Sequence, residues 1–227
     1  MGIVMIMEKS LKILDLGMKN YSETYALQME LAAQRMQGST GDVLLLVEHP
    51  PVITLGRGGS YRHLLLSGEK LQAHGIEMVE TNRGGDITYH GPGQLVGYPI
   101  LQLEGDERDL HQLARNYEEA IIRTLALFSL AAERLEGCTG VWVGNEKIAA
   151  IGVGVKSWVT FHGFALNVNV DLTPFSYIVP CGLHGKGVTS MKALLGEDVD
   201  MQEIKNRLIE SYRDVFQVKM LTIGGAL

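Results

Sequence analysis

The chain has 227 residues, of which 46% are hydrophobic, and a formal net charge of −6 at pH 7. That length suits one domain with a large core, and the acidic balance argues against a protein that wraps nucleic acid. Two cysteines are too few for a disulfide framework and indicate a reducing compartment. The apolar start of the chain is too short for a membrane span or a secretory core, so we expect a soluble, cytoplasmic protein.

The first third of the chain alternates strand-like runs with helix signals. Asn20, followed three residues later by Glu23, predicts a capping box that opens a helix ending near Gly38. Residues 64–74 predict short helical turns, and strand-like runs lie at 11–16, 43–47, 52–55 and 76–81. Because only Pro50 and Pro51 break the chain between the second and third runs, we expect those two strands to form a hairpin-like unit near the sheet centre.

The rest of the chain predicts two long helices and a series of strands. Asp109 and Asp200 occupy the N-cap positions of helices that each carry an apolar stripe. A tight turn at 144–146 would place Lys147 at the start of a return strand. Strand-like runs lie at 131–135, 141–144, 147–155, 161–170 and 187–190. Because strands come in runs instead of alternating strictly with helices, the pattern indicates an α/β protein of the α+β type with a mixed sheet.

The stretch from 83 to 98, RGGDITYHGPGQLVGY, is the hardest part of the chain to explain by packing alone. Its glycines permit close backbone approach to a ligand or positive φ angles, and its arginine, threonine, histidine and glutamine would orient a polar substrate. The residues leave a structural alternative open, which is two strands joined by a type II turn at Pro92-Gly93. The stretch from 147 to 190 adds one cysteine and one lysine beside further glycines.

Together the two stretches resemble the lipoyl(octanoyl) transferase family of the biotin/lipoate protein ligase superfamily. The resemblance implies a single catalytic domain over residues 1–227, with a larger mixed β-sheet plus a smaller sheet flanked by helices. It also implies an enzyme that needs no cofactor. The matching residues are Arg83-Gly84-Gly85, Thr88, His90, Gln94, Lys147-Ile148-Ala149, His162-Gly163, Asn167-Val168-Asn169, Pro180-Cys181-Gly182 and Val188-Thr189-Ser190.

The activity that the resemblance implies is transfer of an octanoyl group from octanoyl-acyl carrier protein to a lysine of a lipoyl domain. The acceptors would be the lipoyl domains of 2-oxoacid dehydrogenase complexes and the glycine cleavage H protein. This is the first step of endogenous protein lipoylation, and it would pass through a cysteine acyl-thioester. Since such partners are acidic, we expect a local basic rim, formed by Arg57, Arg62, Lys156, Lys186 and Lys192.

By the same resemblance Cys181 is the nucleophile and Lys147 is its activating cation, whereas Cys138 is structural. The thiolate is the reactive form, and an ordinary thiol has a pKa of ~8.5, so a nearby ammonium would raise the ionised fraction. We hypothesise that Lys147 then takes the proton of the acceptor amine, with His90 and His162 as alternative bases. The substrate contacts that the resemblance implies are Arg83, Gly84, Gly85, Asp86, Ile87, Thr88, Tyr89, His90, Ala150, Ile151, Gly152, Gly163, Phe164 and Ala165.

Other functions compete with this interpretation. An ATP-dependent lipoate or biotin ligase of the same fold would leave Cys181 idle, and a cysteine hydrolase would release free acid. A non-catalytic module that binds lipoyl domains or acyl carrier protein would not need the cysteine. A metal site is not expected, because His90, His162 and His184 lack the close spacing of ligand pairs.

Overall fold

The computed structural model describes residues 9–179 and 186–222. Within these residues the strands form one sheet of nine strands and one sheet of three. This confirms the expected architecture of a larger mixed sheet plus a smaller sheet flanked by helices. Cys181, the predicted nucleophile, lies outside the described residues, and so does His184.

The elements are numbered in chain order. The strands are β1 (Ser10–Met18), β2 (Asp42–Glu48), β3 (Val52–Leu55), β4 (Glu77–Glu80), β5 (Ile87–His90), β6 (Gln94–Ile100), β7 (Glu133–Leu135), β8 (Cys138–Val143), β9 (Glu146–Lys156), β10 (Val159–Asn167), β11 (Gly187–Val188) and β12 (Lys219–Thr222). The helices are α1 (Tyr21–Met36), α2 (Gly68–Ala73), α3 (Leu110–Ala126), α4 (Met191–Leu195) and α5 (Met201–Phe216). Short 3₁₀ helices lie at Tyr61–His63, Gly105–Glu107 and Thr173–Tyr177.

The large sheet has the strand order β12-β1-β2-β6-β10-β9-β8-β7, and β11 pairs with β9. The pairs β1–β12, β1–β2 and β9–β11 are parallel, and the other neighbours are antiparallel. The β9–β10 hairpin turns on Ser157 and Trp158, whose φ angles are 50° and 60°. Two positive φ angles are typical of a tight turn that follows the right-handed twist of the strands.

Both faces of the large sheet are covered, which explains the continuous apolar run in β2. Leu44 and Leu46 belong to the core under α3 and α5, whereas Val43, Leu45 and Val47 belong to the core under α1. The sheet is therefore sandwiched between one helix on one side and two on the other.

The small sheet has the order β4-β3-β5 and its own core. The expected hairpin of β2 and β3 is therefore wrong, because β2 pairs with β1 and β6, and β3 pairs with β4 and β5. Pro50 and Pro51 end β2 and have no N–H to donate to a ladder, so the chain leaves the large sheet there.

Three other details differ from the sequence-based expectation. The predicted capping box is wrong, because Asn20 is the N-cap of α1 without a side-chain cap hydrogen bond. The helix α4 and the strand β12 were not predicted, and β12 extends the large sheet by pairing with β1.

Among the described residues, no helix combines the length and apolar character that crossing a membrane requires.

Candidate active site

A groove lies between the large sheet and the small sheet, and it encloses about 490 Å³ of space when the open solvent at its mouth is included. All of the predicted substrate-binding residues except Gly84 and Tyr89 line it. It is lined by Tyr21, Arg83, Gly85, Asp86, Ile87, Thr88, His90, Val96, Tyr98, Ala150, Ile151, Gly152, His162, Gly163, Phe164 and Ala165. The structure thus brings together residues from α1, the loop before β5, and strands β5, β6, β9 and β10.

The two exceptions have structural positions. The N–H of Gly84 donates to the carbonyl of Val153 at 3.0 Å, so the loop backbone lies directly on β9. A Cβ at Gly152 would come within 2.8 Å of the Gly84 carbonyl oxygen. The room left by the missing side chain at 152 is therefore taken by protein backbone. Tyr89 packs in the small-sheet core, edge-on to Phe175.

Arg83 is buried and organises the loop that it begins. Its Nη2 donates to the carbonyl oxygen of Thr54 at 2.7 Å, and its Nε donates to the Thr54 hydroxyl at 3.1 Å. Its Nη1 donates to the carbonyl of Gly84 at 3.0 Å. The guanidinium therefore ties the glycine-rich loop to β3.

Lys147 lies in a smaller cavity that adjoins the groove. Thr88 and Ala150 line both spaces, and Gln94, Asn167 and Val188 complete the smaller one together with Lys147 and Phe175. The side chain of Lys147 is largely buried, and its Nζ donates to the carbonyl of Thr139 at 3.1 Å. The same Nζ lies 4.8 Å from the ring centroid of Trp142. A largely buried ammonium thus lies in a cavity that shares two wall residues with the groove.

Strand β11 places the next part of the chain beside this lysine. Val188 lies in register with Lys147, and the N–H of Thr189 donates to the Lys147 carbonyl at 3.0 Å. Gly187 lies in register with Glu146.

A chain of buried amides connects the groove wall to β11. Gln94 donates from Nε2 to Asn167 Oδ1 at 2.8 Å, and Asn167 donates from Nδ2 to the Thr189 carbonyl at 3.0 Å. The Gln94 Oε1 is therefore the acceptor in its 2.7 Å contact with His90 Nδ1. Because an amide oxygen only accepts, His90 carries its proton on Nδ1 and keeps an unprotonated Nε2.

The histidines around the groove are held in the neutral state. Burial, reinforced by the charge of nearby His49, lowers the pKa of His90 to about 3. Burial, with the positive charges of Arg83 and Arg57, lowers the pKa of His162 to about 3. Since proton transfer is most efficient near matching pKa values, both imidazoles are poor acceptors for the proton of a lysine ammonium.

Four groove residues were not among the predicted substrate contacts: Tyr21, Val96, Tyr98 and His162. Val96 and Tyr98 lie on one face of β6, and the alternation of side chains along a strand could have predicted that they lie together. Tyr21 follows the helix N-cap, a position that carries no sequence signal for a groove. Among the described residues, no group of three or more His, Cys, Asp or Glu side chains could hold a metal ion.

Comparison with known proteins extends the likeness to most of the chain. Residues 20–213 match the family described as lipoyl protein ligase A/B catalytic domain. An octanoyltransferase of Solibacter usitatus is 52% identical over 206 residues, which cover 91% of this chain and 93% of that protein. One of Flavobacterium johnsoniae is 46% identical over 232 residues, which cover 95% and 100%.

Solved structures share the fold at lower identity. Lipoate-protein ligase A bound with ATP is 21% identical with a TM-score of 0.75, covering 96% of this chain and 90% of that one. Protein Ta0514 from T. acidophilum with bound lipoic acid is 19% identical with a TM-score of 0.73, covering 97% and 90%. The expected fold of the lipoate and biotin ligases is confirmed. With its buried lysine beside a glycine-lined groove, the chain belongs to the octanoyltransferases of the lipoyl protein ligase A/B catalytic domain family.

Proposed function

We propose that this protein transfers an octanoyl group from octanoyl-acyl carrier protein to a lysine of a lipoyl domain, the first step of protein lipoylation. The observation that carries the proposal is the groove that leads to the buried Lys147, in a chain that is 52% identical to a curated octanoyltransferase. The acceptors in this proposal are the lipoyl domains of 2-oxoacid dehydrogenase complexes and the glycine cleavage H protein. The reaction takes place in the cytoplasm and uses no cofactor.

The groove is the proposed site of the acyl chain. Val96, Ile151, Phe164 and Ala165 offer it apolar contacts. Burying a methylene contributes about 0.8 kcal/mol, so an eight-carbon tail contributes on the order of 5 kcal/mol to binding. The remaining predicted contacts, from Arg83 to His90, form the loop and strand that cover the chain.

The proposed nucleophile is Cys181. Its thiolate attacks the carbonyl carbon of the acyl thioester, the carrier's thiolate leaves and takes up a proton, and a new thioester forms on Cys181. Support comes from the family likeness and from the position of Val188, seven residues further along the chain, in register with Lys147. Lys147 in this proposal favours the thiolate by its positive charge.

The second half of the reaction needs a base. An acceptor ammonium has a reference pKa of ~10.4, so it must lose a proton before its nitrogen attacks the Cys181 thioester. In this proposal, once acylation removes the anion beside it, the Lys147 ammonium gives its own proton to the departing carrier thiolate, and the neutral Lys147 amine then accepts the proton of the acceptor ammonium. The low pKa of His90 and of His162 argues against either imidazole in this role. The amine then displaces Cys181, and the octanoyl amide leaves with the acceptor domain.

One assay separates transferase from ligase. Octanoyl-acyl carrier protein and a lipoyl domain are incubated with the protein in the absence of ATP, and free octanoate with ATP in a parallel reaction. The proposal predicts an octanoylated lipoyl domain in the first reaction and none in the second. Modification only with octanoate and ATP would establish a ligase, and release of free octanoate without an acceptor would establish a hydrolase.

A further inference from the structure

The groove has two ends, which the strand register defines. Lys147 lies in the cavity that adjoins one end, and His162 lies opposite Val153, six residues further along β9. Because a strand advances about 3.3 Å per residue, Lys147 and Val153 are about 20 Å apart along β9. Ala150 lies between Lys147 and Val153 on β9 and is opposite Ala165. It lines both the groove and the smaller cavity around Lys147, here called the lysine cavity. A chain held by the thioester near Lys147 would therefore run from Ala150 towards His162.

The length of this path matches the proposed cargo. From the level of Ala150 to that of Val153 the strand advances three residues, or about 10 Å. An extended alkyl chain advances about 1.3 Å per bond, given a C–C bond of about 1.5 Å, so seven bonds span about 9 Å. An octanoyl chain that starts beside Ala150 thus ends beside His162.

The backbone of His162 is unusual for a histidine. Its φ angle is +56°, in the left-handed region that non-glycine residues rarely adopt. Along β10, Phe161 and Ala165 face the core under α1, while Phe164 and Leu166 face the opposite core. Simple alternation would place position 162 with the second group. Its imidazole instead stacks on Tyr25 of α1, with ring centroids 5.3 Å apart and the planes 5° apart.

The side chain is fixed from several sides. Its Nε2 lies 2.8 Å from Asn82 Oδ1, and its backbone N–H donates to Gln28 Oε1 at 2.8 Å. The residue is 1% exposed. Among the described residues, its Nδ1 has no hydrogen-bond partner. Since Asn82 accepts from Nε2, the Nδ1 lone pair is unprotonated, and an alkyl chain packed against it leaves it unsatisfied.

We propose that His162 ends the acyl groove and thereby sets the longest chain that the enzyme transfers efficiently. Tyr25 and Asn82 hold the ring so that it cannot swing away, and Gln28 holds the backbone that presents it. A rigid, polar end wall excludes further methylenes both by contact and by leaving Nδ1 unpaired. This inference rests on the proposed binding of the acyl chain in the groove.

The test compares kcat/KM for carriers bearing six-, eight-, ten- and twelve-carbon chains. Wild-type protein is expected to prefer eight carbons and to fall sharply at ten. His162→Gly removes the ring at a φ that glycine adopts without strain, so the ten-carbon chain gains room. Each extra buried methylene is worth about fourfold, from about 0.8 kcal/mol, so the ratio of ten- to eight-carbon activity should rise about 15-fold. His162→Asn, which also tolerates this φ, should give a smaller rise.

Two further variants make the result specific. Ser157→Gly relieves a φ of 50° in the β9–β10 turn, outside the groove, and should leave the chain-length profile unchanged. Ala165→Leu fills the groove opposite Ala150, where the chain begins, and should lower activity with the six- and eight-carbon chains alike. If Ala165→Leu has no effect on octanoyl transfer, the groove does not hold the acyl chain and the proposed function loses its binding site.

Other outcomes overturn the role of His162 alone. If Ala165→Leu acts as expected but His162→Gly and His162→Asn keep the wild-type ratio, the groove holds the chain and something else limits its length. Equal losses for all chain lengths in both variants would show a structural role. The wild-type protein alone can also refute the proposal. If it transfers a twelve-carbon chain as well as an eight-carbon chain, His162 does not limit the chain length, whether or not the variants fold.

Discussion

Lys147 is the described residue on which the proposed chemistry depends most. Its ammonium is buried, contacts the Thr139 carbonyl and the Trp142 ring, and lies at the junction with the groove. Lys147→Met keeps most of the side-chain volume and removes the charge. We expect acylation and transfer in single-turnover experiments to slow by about 10²- to 10⁴-fold, the range for loss of a positioned acid or base.

The matched control is Lys205→Met. Lys205 is also buried, pairs with Asp15 at 2.8 Å, and does not line the groove or the lysine cavity. This variant shows how much activity is lost when a buried ammonium away from the groove is removed. Wild-type single-turnover rates in Lys147→Met, with the control behaving likewise, would refute the pairing of Lys147 with Cys181.

At the level of single residues, the family resemblance predicted most of the groove lining, including Arg83, His90 and Ala165. The sequence motifs could not predict the contacts around His162. Its backbone contact with Gln28 joins residues 134 positions apart, and its positive φ accompanies that contact and the stacking on Tyr25. Such geometry follows from the packing of α1 on β10, which no local pattern encodes.

At the level of elements, the amide chain from Gln94 to Thr189 links β6, β10 and β11. Asn167→Asp would replace the donor to the Thr189 carbonyl by an oxygen that cannot donate when ionised. We expect a loss of about 1–3 kcal/mol of stability at pH 7, the usual cost of a buried unsatisfied polar group, and more for a charged one. Thermal unfolding measures it, together with a drop in kcat as β11 shifts beside Lys147.

The loss of stability in Asn167→Asp should depend on pH in a definite direction. Burial raises the pKa of the new carboxyl in the folded state, so the penalty is present above the unfolded pKa of about 3.9 and disappears below it. Asn116→Asp on α3 is the control, because Asn116 Oδ1 only accepts, from Gln112, and a carboxylate keeps that role. If the two variants unfold at the same temperature, the amide chain does not support β11.

Apolar runs between glycine or polar turns predicted the strands from β7 to β10, and an apolar stripe predicted each of the helices α3 and α5. The expected pairing of β2 with β3 failed for a physical reason. Pairing partners lie far apart in sequence, and nothing in the 43–55 stretch shows that β6 will lie beside β2. The strand β12 is four residues long and gains its stability from β1, so its own sequence predicts little.

At the scale of the whole molecule, buried neutral histidines make stability depend on pH. Burial lowers the pKa of His49 to about 4, and those of His90 and His162 to about 3. The unfolded chain takes up these protons near pH 6.5. Between about pH 6.5 and pH 4 the unfolded state therefore binds more protons, and the free energy of unfolding falls as the pH falls.

Urea denaturation at pH 7 and pH 5 measures this effect. The midpoint should be lower at pH 5, and potentiometry should detect uptake of up to three protons on unfolding at that pH. His49→Gln should flatten the dependence, whereas His111→Gln, at an exposed position on α3, should not. Equal stability at the two pH values in wild-type protein would contradict the buried, neutral state of these side chains.

The distribution of charge bears on the protein partners. The chain is acidic overall, but Arg57, Arg62 and Lys156 are exposed and Lys186 is half-buried near Trp142. Lys192 is exposed and pairs with Asp198. If these residues attract acidic carriers, kcat/KM should fall as ionic strength rises from low to moderate, because screening weakens exposed charge pairs. Arg62→Glu should lower kcat/KM without changing kcat, and a flat salt dependence would remove support for the rim.

In the proposed mechanism the octanoyl group rests on Cys181 during transfer. Intact-mass measurement after mixing the protein with octanoyl-acyl carrier protein, without an acceptor domain, tests it most directly. We expect wild-type protein and Cys138→Ala each to gain one octanoyl group, Cys181→Ala to gain none, and a lipoyl domain to remove the adduct. An adduct that persists in Cys181→Ala, or full transfer activity in that variant, would contradict a thioester on Cys181.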